Sequence, residues 1–460
     1  ATGAATGLTV DNVTALTLNF AKAADFSTGD TNTDQTTSMT ITAAKALNTG
    51  NLLNGNKLGT LDVTGQDAVT IGNFTSTGNI TTVDVTGVKG TVIGDVTATG
   101  TAKNIGSIDV TSTSDSASIA AAGGAISATG TITSVDVSGA KNATLGTIDA
   151  KEIGTVTATA TDGTLTFGKI GGSTAPEAVD TLSFTSTAGA IVGAAIDASD
   201  TTGIAVNFTA KGRVDTDGAG TAIAVTNDKG NVTATVAGAT AATGVASAAV
   251  IDFEAGTQGV ADDQYGVVNL TATNTGGLAS TITNHGDTGS TSTITLGNAG
   301  SGKVNAITMD GVVTTLNITG GSGTDQVDFC AAFASKSGTI ALGGGTSGQV
   351  DFLGVNTAAN FGATAAGDGI IVNLSNSTVT LGTGSNATSA GAGKVAIYDS
   401  AASKMISSTN FDFTLTGVES VGGTDANDYF VAANTGSTFD GDAGDDTFIA
   451  GAGADTFTGG

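Results

Sequence analysis

The C-terminal stretch, residues 423–460, reads GTDANDYFV, AANTGSTFD, GDAGDDTFI, AGAGADTFT and GG when it is written in blocks of nine. Phenylalanine holds position eight of every full block, at Phe430, Phe439, Phe448 and Phe457. Position six is aspartate in three blocks and serine in the other, at Asp428, Asp446, Asp455 and Ser437. A flexible tail has no reason to keep this register, so the stretch predicts a repeating structure.

Each block predicts a tight turn followed by a short strand. The first six positions are small or acidic residues, which suit a turn with unusual backbone angles. The last three positions form a strand with one apolar side chain pointing inward. Two blocks complete one coil of a flattened parallel roll, so residues eighteen positions apart are expected to stack.

The stacked aspartates predict a calcium site. Asp428 and Asp446 are eighteen residues apart. Two carboxylates and the turn carbonyl oxygens make the all-oxygen shell that Ca²⁺ prefers. Asp455 stacks on Ser437, which has no carboxylate, so a weaker site is expected there. The remaining candidate residues lie at turn positions of the same blocks: Gly423, Gly441, Asp442, Gly444 and Gly453.

These blocks match the G-G-x-G-x-D-x-U-x pattern of calcium-binding RTX (repeats-in-toxin) repeats. The preceding run, Phe413–Asp428, resembles the usual lead-in of that family. RTX proteins are exported by type I secretion from Gram-negative bacteria, and they include toxins, proteases, lipases, adhesins and surface-layer (S-layer) proteins. The resemblance therefore implies calcium binding and export, but no particular activity. It also implies a secretion signal at the far C-terminus, so we expect the chain to continue beyond Gly460.

The composition favours a thin core. Of 460 residues, 70 are glycine, 39% are hydrophobic, 4% are aromatic and none is tryptophan. Such a chain cannot fill one thick core, whereas a β-solenoid needs only a narrow core of Val, Ile, Leu and Ala. The net charge of −26 excludes nucleic acid as an electrostatic partner, and the single cysteine excludes an intrachain disulfide. No apolar run approaches the ~18 residues of a membrane span, and the first residues lack a basic signal-peptide region.

A second repeat runs through residues 58–172. Its units are Leu61-Asp-Val-Thr, Val83-Asp-Val-Thr, Ile108-Asp-Val-Thr, Val135-Asp-Val-Ser and Ile148-Asp-Ala. Alternating apolar and small polar residues predict strands, and the irregular spacing predicts coils of about 22–27 residues with variable loops. The aspartate between two apolar residues points outward, where it is interpreted as a solvated residue that discourages aggregation.

The chain is predicted to be all-β, an elongated right-handed parallel β-solenoid that ends in an RTX calcium β-roll. Five segments are expected: an entry cap or interface strands at 1–57, a β-solenoid at 58–172, an irregular β segment at 173–264, a second β-solenoid with ~23-residue coils at 265–420, and the nonapeptide roll at 421–460.

In the second solenoid, Val304, Val327, Val350 and Val395 are predicted to be equivalent, with two coils between the last two. The run 320–328 matches the calcium nonapeptide, so Asp325 is a further calcium candidate. Its stacked neighbour one coil on is Gly348, which offers no second carboxylate.

No catalytic constellation is recognisable, and the protein is predicted not to be an enzyme. His285 is the single histidine, in a turn-like setting typical of a surface residue. Cys330 follows an apolar strand and has no basic neighbour, so it is interpreted as a buried small residue. The run 343–348 fits G-x-G-x-x-G formally, but a strand follows it instead of the helix that a dinucleotide site requires.

The resemblance and composition together favour an S-layer protein that assembles with copies of itself into a calcium-dependent lattice on the outer surface of a Gram-negative cell. The resemblance also implies attachment to lipopolysaccharide or a surface glycan, through a region that the sequence does not identify. One alternative is an RTX adhesin or extracellular matrix protein with a solenoid stalk, whose binding tip would be a compact insertion in residues 173–264. Another is the passive stalk of an exported hydrolase.

Overall fold

The computed structural model describes residues 8–10, 12–32, 35–54, 57–121, 123–171, 177–198, 203–217, 220–240, 247–257, 264–286, 289–330, 334–343, 347–355, 367–383, 387–406 and 411–460. All regular elements within these ranges are β-strands. The fold is a parallel β-solenoid, which confirms the predicted class. The described residues include no helix long and apolar enough to cross a membrane. The chain divides into two compact units, Ala1–Asn227 and Asp228–Gly460.

In the first unit, a coil contributes up to three strands, and equivalent strands of successive coils pair in parallel; in the coil that begins at Glu152, the isolated bridge residue Ile170 takes the place of the third strand. The longest strands form what we call the long-strand stack: Ala15–Phe20, Ser38–Ala43, Thr60–Gly65, Ile80–Gly87, Ile105–Ser112, Thr131–Gly139, Glu152–Ala160, Ala178–Ser186 and Ile204–Ala210. A second stack contains Ala24–Asp25, Leu47–Asn48, Val69–Ile71, Thr91–Ile93, Ala117–Ile119, Ala143–Leu145, Leu165–Phe167, Ile191–Gly193 and Val214–Asp215. A third contains Leu8–Thr9, Thr31–Asn32, Leu52–Asn54, Phe74–Ser76, Val96–Ala98, Ala125–Ala128, Thr147–Asp149, Ile196–Ala198 and Ile223–Asn227.

The alternating sequence explains the core of this unit. Leu61, Val83, Ile108 and Val135 are successive register partners in the long-strand stack, and each is almost completely buried. The aspartates that follow them point outward because successive side chains of a strand alternate between its two faces. The predicted equivalence therefore holds for four of the five units. It is wrong for Ile148, which lies in the third stack and pairs with Ile126.

Regular coils continue into the segment that the sequence predicted to be irregular. Glu152–Ala160 pairs in register with Ala178–Ser186, which pairs with Ile204–Ala210. Phe184 stacks between Phe167 and Phe208, with ring centroids 4.1 and 5.6 Å away. The predicted boundary at 172–173 lies outside the described residues. Pairing is also continuous across the predicted boundary at 57–58, where Ser38–Ala43 pairs with Thr60–Gly65.

The second unit is built mainly from parallel strands. They are Val232–Ala237, Ala249–Thr257, Val268–Ala272, Leu278–His285, Thr291–Thr295, Val304–Thr319, Thr324–Phe329, Ala334–Ala341, Gly348–Asp351, Asp412–Thr416, Ser420–Gly422, Asn427–Val431, Thr438–Asp440, Thr447–Ile449 and Thr456–Thr458. Gln264–Tyr265 adds a short antiparallel pair to Ala249–Thr257. Val327 and Val350 are register partners, as predicted. The prediction is wrong for Val304, because Ile307 is the partner of Val327.

Residues 367–383 and 387–406 form a mainly antiparallel insertion between two coils of this unit, and its first strand, Asp368–Asn373, also pairs in parallel with Asn427–Val431. Its strands are Asp368–Asn373, Val379–Leu381, Thr388–Ala390, Lys394–Asp399 and Lys404–Ile406. It has its own apolar cluster around Ile371, Leu381 and Tyr398. Val395 belongs to this insertion, paired with Val372, so the prediction that it begins a later solenoid coil is wrong.

Candidate metal centre

The terminal repeats stack at the predicted spacing. Asn427–Val431 pairs in parallel with Thr447–Ile449, and Thr438–Asp440 pairs with Thr456–Thr458. The rings of Phe430 and Phe448 are consequently stacked with centroids 5.3 Å apart. Residues eighteen positions apart therefore lie one above the other, and the two blocks between them complete one coil.

Position six links neighbouring coils and also closes its own turn. Asp446 Oδ1 accepts the N–H of Asp428 at 2.9 Å, and Asp455 Oδ1 accepts the N–H of Ser437 at 2.9 Å. Asp455 Oδ2 also accepts the N–H of Gly451, at position two of its own turn. Position five adds a link in the opposite direction, because the N–H of Asp445 donates to the Oδ1 of Asn427.

Asp428 is completely buried and its oxygens are engaged. Its carboxyl accepts the backbone N–H of Ile370 and of Thr424, both at 2.6 Å, and the Thr424 hydroxyl at 3.0 Å. Burial raises the pKa of Asp428 to about 8 despite these hydrogen bonds, and the nearby carboxyl of Asp446 raises it further. Desolvation disfavours the charged form of a carboxyl unless a positive charge compensates it.

Asp446 presents the unsatisfied atom of the site. Its Oδ2 is buried and has no hydrogen-bond partner. The N–H at position two of its turn belongs to Asp442, which has a φ of 57° and donates instead to Asp440 Oδ1 at 3.4 Å. Burial raises the pKa of Asp446, and the carboxylates of Asp445 and Asp440 add to this effect. A buried acceptor without a partner costs about 1–3 kcal/mol, which a bound cation would offset.

The candidate glycines have two different roles. A Cβ at Gly423 would lie 2.4 Å from Asp428 Oδ2, and one at Gly441 would lie 2.1 Å from Asp446 Oδ2, so both make room for a carboxylate. Gly444 has a φ of 137°, a backbone conformation that suits glycine. A Cβ at Gly453 would lie 2.1 Å from the backbone nitrogen of Gly436 in the neighbouring coil. These last two glycines permit close stacking and do not face a carboxylate.

Asp325 repeats the arrangement of Asp446 in the longer coils. It is completely buried, and its Oδ1 accepts the Nδ2 of Asn305 at 2.7 Å. Its Oδ2 has no hydrogen-bond partner and lies 2.3 Å from where a Cβ at Gly320 would be. Burial raises the pKa of Asp325, whereas the Asn305 amide and the backbone N–H of Gly321, at position two of its own turn, oppose that shift. Gly348 is its register partner, so the second carboxylate is missing there, as expected.

Glu419 is the position-six residue that the sequence analysis missed. Its Oε2 accepts the N–H of Gly348 at 2.8 Å, which is the link that Asp446 makes to the coil below. The signal was present, since Glu419 lies nine residues before Asp428 and therefore continues the register of the terminal blocks.

The donor set suits a hard cation, but the acidic groups are not gathered into one cluster. Burial raises the pKa of Asp442, and the carboxylates of Asp440, Asp351 and Asp425 raise it further, so this edge is strongly negative. Residues 421–460 contain no lysine or arginine. Within the described ranges, no group of three or more His, Cys, Asp or Glu side chains is close enough to hold a metal ion. A calcium ion here would use the Asp446 carboxylate and turn carbonyl oxygens, with Asp428 already engaged by the protein.

The two other reactive side chains are placed differently from one another. His285 ends the strand Leu278–His285, its side chain is only 14% exposed, and its Nε2 lies 3.4 Å from Glu254 Oε1. The prediction of a surface histidine is therefore wrong. Cys330 is half-buried, and burial together with nearby carboxylates raises the pKa of its thiol, which keeps it protonated.

No family model matches the chain, and no curated protein or solved structure is significantly similar to it.

Proposed function

We propose that this chain is a structural protein of an exported surface layer and that Ca²⁺ orders its C-terminal repeats. The observation that carries this proposal is the buried, unpartnered Oδ2 of Asp446 beside Gly441, in a turn edge that has acidic and no basic side chains. In this proposal the acidic repeats remain loosely ordered in a calcium-poor cytosol and tighten outside the cell. The resemblance to RTX proteins supports type I secretion as the export route.

The chain's own residues prepare the site for the cation. Asp446 holds the N–H of Asp428 with one oxygen and offers the other to the cation, while Gly441 leaves space for that oxygen. The bound cation supplies positive charge that compensates for desolvation of the carboxylates. Extracellular calcium modules bind with Kd of about 10⁻⁴–10⁻³ M, so one site at ten times its Kd adds only about 1.4 kcal/mol. Several weak sites, with Asp325 and Asp455 among them, are therefore needed.

The proposed partner of the chain is itself. A parallel β-solenoid is compatible with a repeat-built structural protein, and the finer proposal is a two-dimensional S-layer lattice attached to lipopolysaccharide or another surface glycan. The proposal includes no catalytic activity.

An RTX adhesin or matrix protein is the second candidate, and one observation favours it. A binding tip should be a compact insertion in the solenoid, and residues 367–383 and 387–406 form such an insertion with an apolar cluster of their own. Its place differs from the predicted one, since Ala178–Ser186 and Ile204–Ala210 are paired strands of regular coils.

Calcium removal tests the proposal. Purified chain is examined by circular dichroism and electron microscopy in millimolar CaCl₂ and then in excess EGTA. We expect β-structure to decrease and any sheets to dissolve in EGTA, and to return when calcium is restored. Ordered sheets that persist in EGTA would rule out a calcium-dependent lattice, whereas calcium-dependent isolated fibres would favour the adhesin.

A further inference from the structure

The outer face of the long-strand stack is a regular array of short polar side chains. Six consecutive strands each place three alternate residues outward, and all of these residues are Thr, Ser or Asp. They are the first, third and fifth residues of 60–64, 82–86, 107–111, 134–138, 155–159 and 181–185. The exact register aligns these residues in three columns. The other strands of the stack add only Ala, Asn, Thr and Ser to the same columns. None of the column positions is Lys, Arg or Glu.

Long charged side chains of the same unit lie outside the three columns, although Glu152 begins one strand of the stack. Lysines that form ion pairs, such as Lys89 with Asp67 and Lys141 with Asp115, occupy the connections between strands. The centres of protein interfaces are depleted in Lys and Glu, and also in Ser and Asp. The columns share only the first of these features, so the shortness and regular spacing of their side chains, and not their composition, make the face suitable for close packing.

Its central column contains a row of four aspartates, at Asp62, Asp84, Asp109 and Asp136, in consecutive strands. Paired strands are about 4.8 Å apart, and like charges directly opposite each other repel. Burial raises the pKa of Asp84, and the charges of Asp109 and Asp62 raise it further. A second copy of the same face would add to this repulsion.

The area of the face matches what a copy needs. Nine strands at about 4.8 Å and five residues at about 3.4 Å give a patch of about 700 Å². A standard protein interface buries about 800 Å² on each partner. Thr and Ser side chains are short and, unlike Lys or Glu, lose little conformational entropy when they are covered.

We infer that this face is a self-docking surface on which a second copy of the chain packs, and that its aspartate row keeps copies apart until cations screen the charge. The inference rests on the proposed self-assembly and names the surface through which it occurs. Two faces related by a twofold axis bring their central columns together, so the two aspartate rows meet. The same hydroxyl array then packs without long side chains between the sheets.

Sedimentation velocity of the 460-residue chain tests this surface, with Thr157→Glu as the blocking variant. Thr157 is the register partner of Asp136, so a glutamate there adds a long side chain and also extends the row of like charges. Its matched control is Thr166→Glu, an outward threonine of the same coil on the second stack. We expect wild type and Thr166→Glu to dimerise in CaCl₂ and Thr157→Glu to dimerise at least tenfold more weakly. Equal behaviour of the two glutamate variants would overturn the inference. Calcium-independent binding of a monomer to a polysaccharide that only Thr157→Glu abolishes would also overturn it, because the occupant would then be a glycan.

The double variant Asp84→Asn/Asp109→Asn tests the aspartate row. We expect it to dimerise in EGTA at least tenfold more strongly than wild type, because it has lost the charges that oppose docking. Weaker dimerisation would overturn this role for the row. If the C-terminal repeats order with calcium while wild type stays monomeric, the docking surface fails and the calcium proposal stands. If the double variant dimerises while calcium has no effect on the repeats, the calcium proposal fails alone.

Discussion

The substitution Asp446→Asn tests whether the unpartnered oxygen in the terminal repeats is a calcium ligand. Asparagine keeps an oxygen that accepts the N–H of Asp428. It also replaces the buried Oδ2 with an amide and removes repulsion from Asp445 and Asp440. The amide nitrogen still fills the buried position of Oδ2, so the expected gain is only the loss of a desolvated charge that its neighbours repel. We therefore expect the variant to stabilise the repeats in EGTA by about 0.2–1 kcal/mol, the size of a contact between side chains on neighbouring strands.

In calcium the expected sign is reversed. Wild type gains about 1.4 kcal/mol from one site at ten times its Kd, and this gain rises with concentration. Asp446→Asn loses that gain because a neutral amide is a poor ligand for a hard cation. Calcium should therefore lower the equilibrium constant for opening of residues 421–460 at least tenfold less in the variant than in wild type.

Hydrogen exchange measured by mass spectrometry reads this local opening directly. Peptides from residues 421–460 are followed in CaCl₂ and in EGTA, with Asp425→Asn as a control that removes an exposed carboxylate from the stacked turn. The control should change protection less than Asp446→Asn does. If Asp446→Asn changes protection equally with and without calcium, the second carboxylate oxygen has no calcium-dependent role, and the calcium argument is refuted.

Three other predictions concern the same unit. Burial raises the folded-state pKa of Asp428 to about 8 from its ordinary value of 3.8, so the folded state binds the proton more tightly than the unfolded state. Stability measured by thermal unfolding in EGTA should therefore fall as the pH rises from about 4 to about 8, and a rise over that window would contradict the assignment. Phe439→Ala should lower the free energy of unfolding by about 3–5 kcal/mol because this ring is fully buried. Phe457→Ala should lower it clearly less because that ring is 38% exposed. Equal losses in urea unfolding would show that the last coil packs as tightly as the others. Glu419→Gln keeps an acceptor for the N–H of Gly348 and should melt close to wild type. Glu419→Ala leaves that N–H unpaired and should lower the free energy of unfolding by about 1–3 kcal/mol. Equal melting temperatures for the two variants would contradict this role.

Strict periodicity was the part of the fold that the sequence predicted well. The nine-residue register of Phe430, Phe439 and Phe448 specifies which side chains face inward, and one misplaced residue would reverse every face. The aspartate row at Asp62 and Asp84 was recoverable for the same reason, because an outward charge between two buried residues marks the strand phase.

The predictions of strand equivalence failed where similar short sequence motifs lie in different kinds of strand. Ile148-Asp repeats the local pattern of Ile108-Asp, although the two isoleucines lie in different stacks. A coil has up to three strands with the same alternation, so spacing alone does not show which stack a strand joins. Val395 follows a glycine-rich turn like that of Val350, although its neighbours pair in antiparallel fashion. Alternation records burial and carries no information about strand direction.

The candidate metal site was predictable only in part. Stacking of Asp428 on Asp446 follows from the spacing of eighteen residues. The engagement of Asp428 by Ile370 does not, because that contact comes from the antiparallel insertion, 58 residues away in sequence. Glu419 was not predicted because it is a glutamate where the pattern has an aspartate. From the same register position, its longer side chain accepts the N–H of the neighbouring coil.

The reciprocal links between coils have a consequence for how the terminal repeats end. At one coil junction, Asp446 accepts an N–H from the coil before it, while Asn427 accepts an N–H from the coil after it. A break at such a junction strands one donor and one acceptor on each side, whatever the number of coils in the stack. The cost of a free end is therefore constant, while each added coil contributes its full packing, as expected for a one-dimensional cooperative array. Lengthening such a chain dilutes its end effects, and shortening it makes them dominant.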